Sequence, residues 1–405
     1  MESLGLKRVV STLCMGLAAG VLLSCGSSSS SSSSSTTSKL KKRVFVSNEF
    51  PGGASQGQLQ IIDSAKDQLS TFTVQTSPNP MMMVEASDKT KTLVYCAGGN
   101  VLAVADNAQE ALIGSVTMPG AVTSLVATPD LKTAYVAVPD TALSGHPAGM
   151  VAFVDLTNGT VTTEIQVTDA QTLALSPDGK KLLVFSNDSD AVSVIDTSAK
   201  TVTTVNGFDR PVFGVFTTDN SKAYIMNCGP QCGGTVASVS ALTMSSLTIA
   251  ATTPVAGATT GLLDSSGNLF VAGTTGSGSG TTGKLTVLNA SSLAPTGTEV
   301  TIADGFHTQI ISASNNKLLI GGRTCNTSSS CLSVYDTSAK TAVIPNTTGD
   351  ATGMAAIPNR NVVYVAQGGE LIIIDTTTSQ PLVQPPNTQP IDIVGKAWDV
   401  VVADP

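Results

Sequence analysis

The chain has 405 residues, enough for one large domain or for two or three small ones. Charged residues make up only 12% and the formal net charge is −8, so a phosphate backbone is repelled on average and no nucleic-acid partner is expected. Aromatics are 4%, Gly, Ser, Thr, Val and Ala dominate, and no long segment shows apolar residues at helical spacing, which favours strands and tight turns.

At the N-terminus, Lys7 and Arg8 precede Val9 to Leu23, an apolar run too short to span a bilayer comfortably. It ends in Leu22-Leu23-Ser24-Cys25, which resembles the lipobox of bacterial lipoproteins. In that family the chain is cut before the Cys and the thiol receives a diacylglycerol. The resemblance implies a signal peptide at 1–24, lipid attachment at Cys25 and a membrane reached through that anchor. The alternative is an ordinary secretory signal whose Cys is incidental. Gly26 and nine serines, Ser27 to Ser35, follow. Such a run buries no apolar surface, so residues 25–42 read as a flexible tether. Residue 26 is not Asp, and similarity to proteobacterial sorting therefore points to the outer membrane if the host is Gram-negative.

From Arg43 onward the chain repeats one pattern. Its clearest copy is Leu175–Val205, LSPDGKKLLVFSNDSDAVSVIDTSAKTVTTV, with three β-branched runs separated by turn clusters. Strand-ending Asp63, Asp106, Asp155, Asp196, Asp336 and Asp375 mark the copies, with Ser240 and Asn289 filling the two gaps; the steps run from 39 to 49 residues. All three residue types can hydrogen-bond the backbone two residues on and open a turn, so the marker has a structural explanation. A period of this length with four short strands per unit predicts an all-β propeller over 43–405. Eight innermost strands are expected, starting near Met82, Val122, Leu173, Phe213, Gly261, Gln309, Gly353 and Asp399. The folded region begins on a second-type strand at Arg43 and ends on a first-type strand at Trp398-Asp399. Three N-terminal strands and one C-terminal strand should therefore complete one blade and close the ring.

Ser176-Pro-Asp-Gly-Lys, Tyr364-Val-Ala and Val192-Ser-Val-Ile-Asp-Thr resemble the YVTN-repeat β-propellers of bacterial and archaeal envelopes. The resemblance covers Arg43 to Pro405, best in the units of Asp155, Asp196 and Asp375. It implies a fold and an envelope setting, not one activity. Members usually have seven blades, so a seven-bladed ring with one degenerate unit stands beside the count of eight.

Seven cysteines are present. Cys14 would leave with the signal. Cys228 and Cys232, and Cys325 and Cys331, fall in the connection between second and third strands of their units. Outside the cytoplasm such pairs oxidise, and they read as two local disulfides of ~2 kcal/mol each in the chain-entropy model. A zinc site would require both pairs to converge from two blades apart; a redox-active pair is the other alternative. Cys96, at a strand end, reads as a buried apolar residue.

Ligands of propellers usually meet the face formed by the fourth-to-first and second-to-third connections. The first set lines the channel mouth and offers Gln171, Arg210, Phe213, His307, Lys396 and Trp398 as candidate binding residues. The second set holds long loops at Glu49 to Gly57, Pro139 to Gly149 and Gly273 to Gly283. The two histidines, His146 and His307, lie in different loop sets, and three-His metal centres are excluded within one chain. Met81-Met82-Met83 alternates between two strand faces, which favours packing over soft-metal binding. Trp398, the sole Trp, is either a stacking platform or a packing residue at the closure. Gly278-Ser-Gly280-Thr-Thr-Gly283 matches GxGxxG, but Lys284-Leu-Thr-Val-Leu continues it as a strand, not the helix a dinucleotide site requires. Ser186–Asp190 is a turn with two carboxylates, or a weak calcium site. There is no CxxCH, GxSxG or EF-hand loop, so no catalytic set, metal site or cofactor is expected.

The reading is a lipid-anchored cell-envelope propeller that binds a protein, a glycan or a small ligand without turning it over. The alternatives are a propeller lactonase resembling 6-phosphogluconolactonase, for which Arg210, His307 and Lys396 are the one plausible cluster, and an extracellular structural or adhesive module.

Overall fold

The most apolar runs of each unit become its second strand. Val362–Gln367 is buried along its whole length, and Lys181–Ser186 buries its four central residues. The Thr-rich runs become the outermost strands: Thr201–Asn206 exposes every residue but Val205. Burial thus falls from the middle of each blade to the rim. The computed structural model describes residues 37–50, 56–276, 278, 280–382 and 391–404. Cys25 and the signal segment lie outside the described residues.

The described residues form eight four-stranded antiparallel sheets and one short 3-10 turn. Eight blades are therefore present, and the seven-bladed alternative does not hold. The innermost strands of blades one to eight are Pro80–Glu85, Ser124–Ala127, Ala170–Leu175, Pro211–Phe216, Thr260–Leu263, Phe306–Ala313, Ala351–Ala356 and Lys396–Val402. Blade eight joins the two ends of the chain. Lys396–Val402 pairs with Arg43–Glu49, Val44 opposite Val402, and Gly57–Asp63 and Gln68–Thr76 complete the sheet. Closure removes the two free edges that an open ring would expose.

The apolar core is a set of seams between neighbouring blades. One seam packs Tyr135, Val151 and Phe153 of blade two against Leu173, Leu182 and Val184 of blade three. Tyr135 and Phe153 meet edge-on at 4.9 Å. Each fully buried Leu or Val contributes roughly 1.5–3 kcal/mol, so a seam of this kind holds each blade to the next.

The marker residues open turns, as expected. Asp196 Oδ1 accepts the Ser198 and Ala199 N–H groups at 3.0 and 2.8 Å, and Asn289 does the same for Ser291 and Ser292. One marker is corrected. Thr243 faces Lys222 as Asp196 faces Lys181, so Thr243 occupies the marker position of blade four. Ser240 lies inside the strand, buried, where its Oγ accepts from Asn227 Nδ2 at 2.9 Å. A Ser three residues early is a packing residue of the third strand, not its terminator.

Residues 37–42 reach the ring on the face made by the first-to-second and third-to-fourth connections. The Ser38 N–H donates to Glu110 Oε2 at 2.6 Å, and the Ser64 N–H donates to the Lys42 carbonyl at 2.8 Å. Glu110 and Ser64 both sit between third and fourth strands. The stretch expected to be all tether up to residue 42 is thus held to the propeller from Ser38 onward.

Candidate functional site at the channel mouth

Six of the eight innermost strands carry a register shift near their first residues: between Pro80 and Met83, Ala170 and Thr172, Pro211 and Phe213, His307 and Gln309, Ala351 and Gly353, and Ala397 and Asp399. In each, a buried residue is followed by half-buried extra ones. Gln171, Thr308, Thr352 and Trp398 are such residues. A bulge leaves its carbonyl outside the ladder and re-aims the side chain. The freed carbonyls are capped from the preceding blade. Ser47 Oγ donates to the Met81 carbonyl at 2.6 Å, Thr123 Oγ1 to Gln171 at 2.9 Å, and Gln309 Nε2 to Thr352 at 3.3 Å. Repeated bulges thus shape the mouth of the channel and tie each blade to the one before it.

Trp398 is the bulge residue of blade eight. Arg323 ends the second strand of blade six, Lys317–Arg323. Its guanidinium carbon lies 5.0 Å from the centre of the Trp398 ring. Among the described residues Arg323 forms no ion pair, and its buried Nε finds no acceptor. Burial lowers the Arg323 pKa, while the charges of Asp350 and Asp399 oppose that shift. Asp399 points the other way along the same strand. Its two oxygens accept the Met83 and Val400 N–H groups at 2.8 Å each, and burial pushes its carboxyl up to about 7. Asp350 Oδ1 accepts the Thr324 N–H at 2.8 Å.

Both disulfides form. Cys228–Cys232 and Cys325–Cys331 bridge Cα atoms 5.6 and 5.7 Å apart, within the range a disulfide spans without moving the backbone. Each loop is also held by an Asp from the fourth-to-first connection of its own blade. Asp209 accepts the Thr235 and Val236 N–H groups at 3.0 and 2.7 Å. Asp304 accepts those of Asn326, Thr327 and Ser328 at 2.9, 2.9 and 2.8 Å. Burial works against the Asp304 charge, but the three N–H groups outweigh it and hold the carboxyl at about 2. Gln231, inside the first loop, links three blades: it accepts the Thr274 N–H and donates to the Gly305 carbonyl. The loops flank a cleft of about 230 Å³ that Gln231, Thr274, Phe306 and Asn326 help to line. Cys96 is buried and free, and burial pushes its thiol up to about 11.

The expected mouth residues separate into different roles. Gln171 is a half-buried bulge residue whose Nε2 donates to Asp169 at 2.8 Å. Arg210 is turned to the Ser186–Asp190 turn, 3.6 Å from Asp188 and 3.9 Å from Asp190. That pairing gives both carboxylates a cation, and no group of three metal-ligating side chains occurs among the described residues. Phe213 packs partly buried against the seam of Tyr224 and Met226. His307 is 1% exposed, with Nε2 2.9 Å from the Ala303 carbonyl, so its ring faces the interior and not the mouth. Burial brings its pKa down to about 4, which keeps it neutral. Lys396 is exposed and opens the closing strand. The cluster of Arg210, His307 and Lys396 is therefore not assembled as one cationic pocket, because its histidine is sealed and Arg210 is engaged elsewhere. Arg323 and Asp399 escaped the sequence reading. The one available signal was an Asp inside the apolar run Trp398-Asp-Val-Val-Val.

No family model and no curated protein matches the chain. Solved structures do resemble it. A structure of hydrazine synthase from Kuenenia stuttgartiensis aligns with TM-score 0.55 at 16% identity over 73% of this chain and 95% of that one. The dihydro-heme d1 dehydrogenase NirN, in complex with DHE, aligns with TM-score 0.63 at 11% identity over 90% and 75%. A functionally unknown protein from Desulfotomaculum acetoxidans DSM 771 aligns with TM-score 0.57 at 11% identity over 90% and 99%. At these identities the likeness establishes the β-propeller fold alone.

Proposed function

We propose that this protein is a lipid-anchored envelope propeller of the YVTN-repeat type that binds a protein, glycan or small ligand at its channel mouth without turning it over. The observation that carries the reading is the side on which the chain meets the ring. Ser38 is fastened to Glu110 on the face opposite the mouth. Residues 37–42 therefore leave the elaborated face, with its bulges and two disulfide loops, uncovered. Gly26 favours the outer membrane in a Gram-negative host. The lactonase reading loses support from the buried His307 and the ion-paired Arg210.

The test is metabolic labelling with an alkyne fatty acid in the native host. The wild-type protein should take up label and sediment with membranes, and Cys25→Ala should do neither. Equal membrane recovery of an unlabelled Cys25→Ala protein would overturn the anchored reading.

A further inference from the structure

Among the described residues of the channel mouth, Lys396 and Arg323 form no ion pair; Lys396 is exposed, whereas Arg323 is half-buried. Arg43 and Arg360, the other substantially buried arginines that close the ring, are both committed to carboxylates: Arg43 to Asp404 and Glu110, Arg360 to Asp67. Arg323 is committed to none. Its Nε is buried without an acceptor, its terminal nitrogens make no protein hydrogen bond among the described residues, and its guanidinium carbon lies over the Trp398 ring. A buried donor without an acceptor is unfavourable. A guanidinium over an aromatic face is attracted to the ring without using its N–H groups as hydrogen-bond donors to a carboxylate. The flanking carboxylates do not supply the missing acceptor, because Asp350 and Asp399 are turned to backbone N–H groups. Thr308, the bulge residue of the strand that pairs with Arg323, adds a second buried polar atom without a partner, its Oγ1.

We infer that Arg323, held over the Trp398 ring, is a subsite at the channel mouth for the carboxylate of a small organic acid, including an acidic sugar. The planar fork of a guanidinium matches a carboxylate with two parallel hydrogen bonds. Charge selects among oxyanions. With Asp350 and Asp399 nearby, one guanidinium balances a single negative charge better than the double charge of a phosphate monoester. This inference rests on the reading of the mouth as a binding face, but not on the lipid anchor.

The sole Trp makes the site self-reporting. Full-length protein in detergent micelles is titrated with sodium acetate, benzoate and galacturonate at constant ionic strength, following Trp emission, with calorimetry as a second readout. Methyl galactoside and inorganic phosphate serve as the neutral and dianionic probes. At least one carboxylate should give a saturable change with a midpoint in the millimolar range or below. Phosphate should be weaker, and methyl galactoside should give none. Arg323→Gln should weaken the midpoint at least 10-fold, Arg323→Lys several-fold, and Arg210→Gln not at all, with thermal midpoints confirming that the variants fold. The proposal is overturned if none of the three carboxylates saturates, if methyl galactoside binds equally, or if folded Arg323→Gln keeps the wild-type midpoint. Failure of fatty-acid labelling with a positive titration would remove the anchor and leave the subsite; the reverse result would do the opposite.

Discussion

The guanidinium of Arg43 donates to the carboxylate of Asp404 across a sequence separation of 361 residues, with Nε 2.9 Å from Oδ2. The same guanidinium reaches Glu110 of blade one at 3.0 Å, and the Arg43 N–H donates to Asp404 at 2.6 Å. One side chain thus fastens the C-terminus to the first strand and that strand to the next blade. Removing one partner of a buried ion pair leaves the others uncompensated, at a cost of roughly 3–5 kcal/mol. Arg43→Ala should lower stability by about that amount, and Asp404→Asn by less because the Asn can still accept one N–H. Urea unfolding of the two variants beside wild type measures both.

His307 predicts a specific acid sensitivity. Its folded pKa of about 4 lies below the unfolded value of 6.5, so the unfolded chain binds the proton first. The neutral ring is fully compatible with the fold above pH 6.5, and stability falls as pH drops from 6.5 toward 4. The loss attributable to this residue is roughly 3 kcal/mol at most. His307→Gln should flatten that part of the stability profile relative to wild type. Glu85 and Asp399, both raised to about 7 chiefly by burial, act in the opposite sense: their contribution declines as pH rises from about 4 to about 7. A His307→Gln profile parallel to wild type from pH 7 to pH 4 would contradict the assignment.

The disulfide loops should tolerate reduction better than loss of their carboxylate anchors. Each bridge closes a short loop and contributes ~2 kcal/mol in the chain-entropy model. Asp304 holds three N–H groups, and its contribution is present above pH 4 and disappears as pH falls toward 2. Hydrogen exchange of residues 325–331 should rise more in Asp304→Ala than in a Cys325→Ser, Cys331→Ser protein.

Gly353 is fixed by proximity. A Cβ there would lie 2.6 Å from Asp399 Cα and 2.4 Å from its Oδ1, so backbone has to move. Gly353→Ala should cost about 1–3 kcal/mol and shift the emission of the neighbouring Trp398, which a thermal melt and an emission spectrum record together.

The repeat was readable because it consists of local signals. β-branched runs, Asp-opened turns and Ser-Pro-Asp-Gly corners recur at a steady period, and a ring of such units can close only where the ends supply complementary strands. The favoured count of eight blades and the closure follow from that, whereas the disulfides were legible from two closely spaced Cys pairs. The site was less readable because it depends on register. Whether a mouth residue points inward is decided by a one-residue bulge, which shifts every later side chain to the other face of the strand. Trp398 and Gln171 are bulge residues, whereas Phe213 and His307 lie one residue to either side of a bulge and are turned into the seams. Arg323 reaches the mouth from a different blade, a relationship that no sequence spacing encodes. Ser240 stood in for Thr243 for the same reason: only the ladder fixes which residue ends the strand.

The central claim, that the face bearing Trp398 and the disulfide loops is the one that meets other molecules, is tested most directly by site-specific photo-cross-linking in living cells. A benzophenone side chain is placed at Lys396 and at His146 on the mouth face, and at Asp219 in the first-to-second turn of blade four on the opposite face. All three positions are exposed. Discrete adducts from Lys396 or His146, with none from Asp219, are the predicted result. Adducts from Asp219 with none from the mouth face would contradict it.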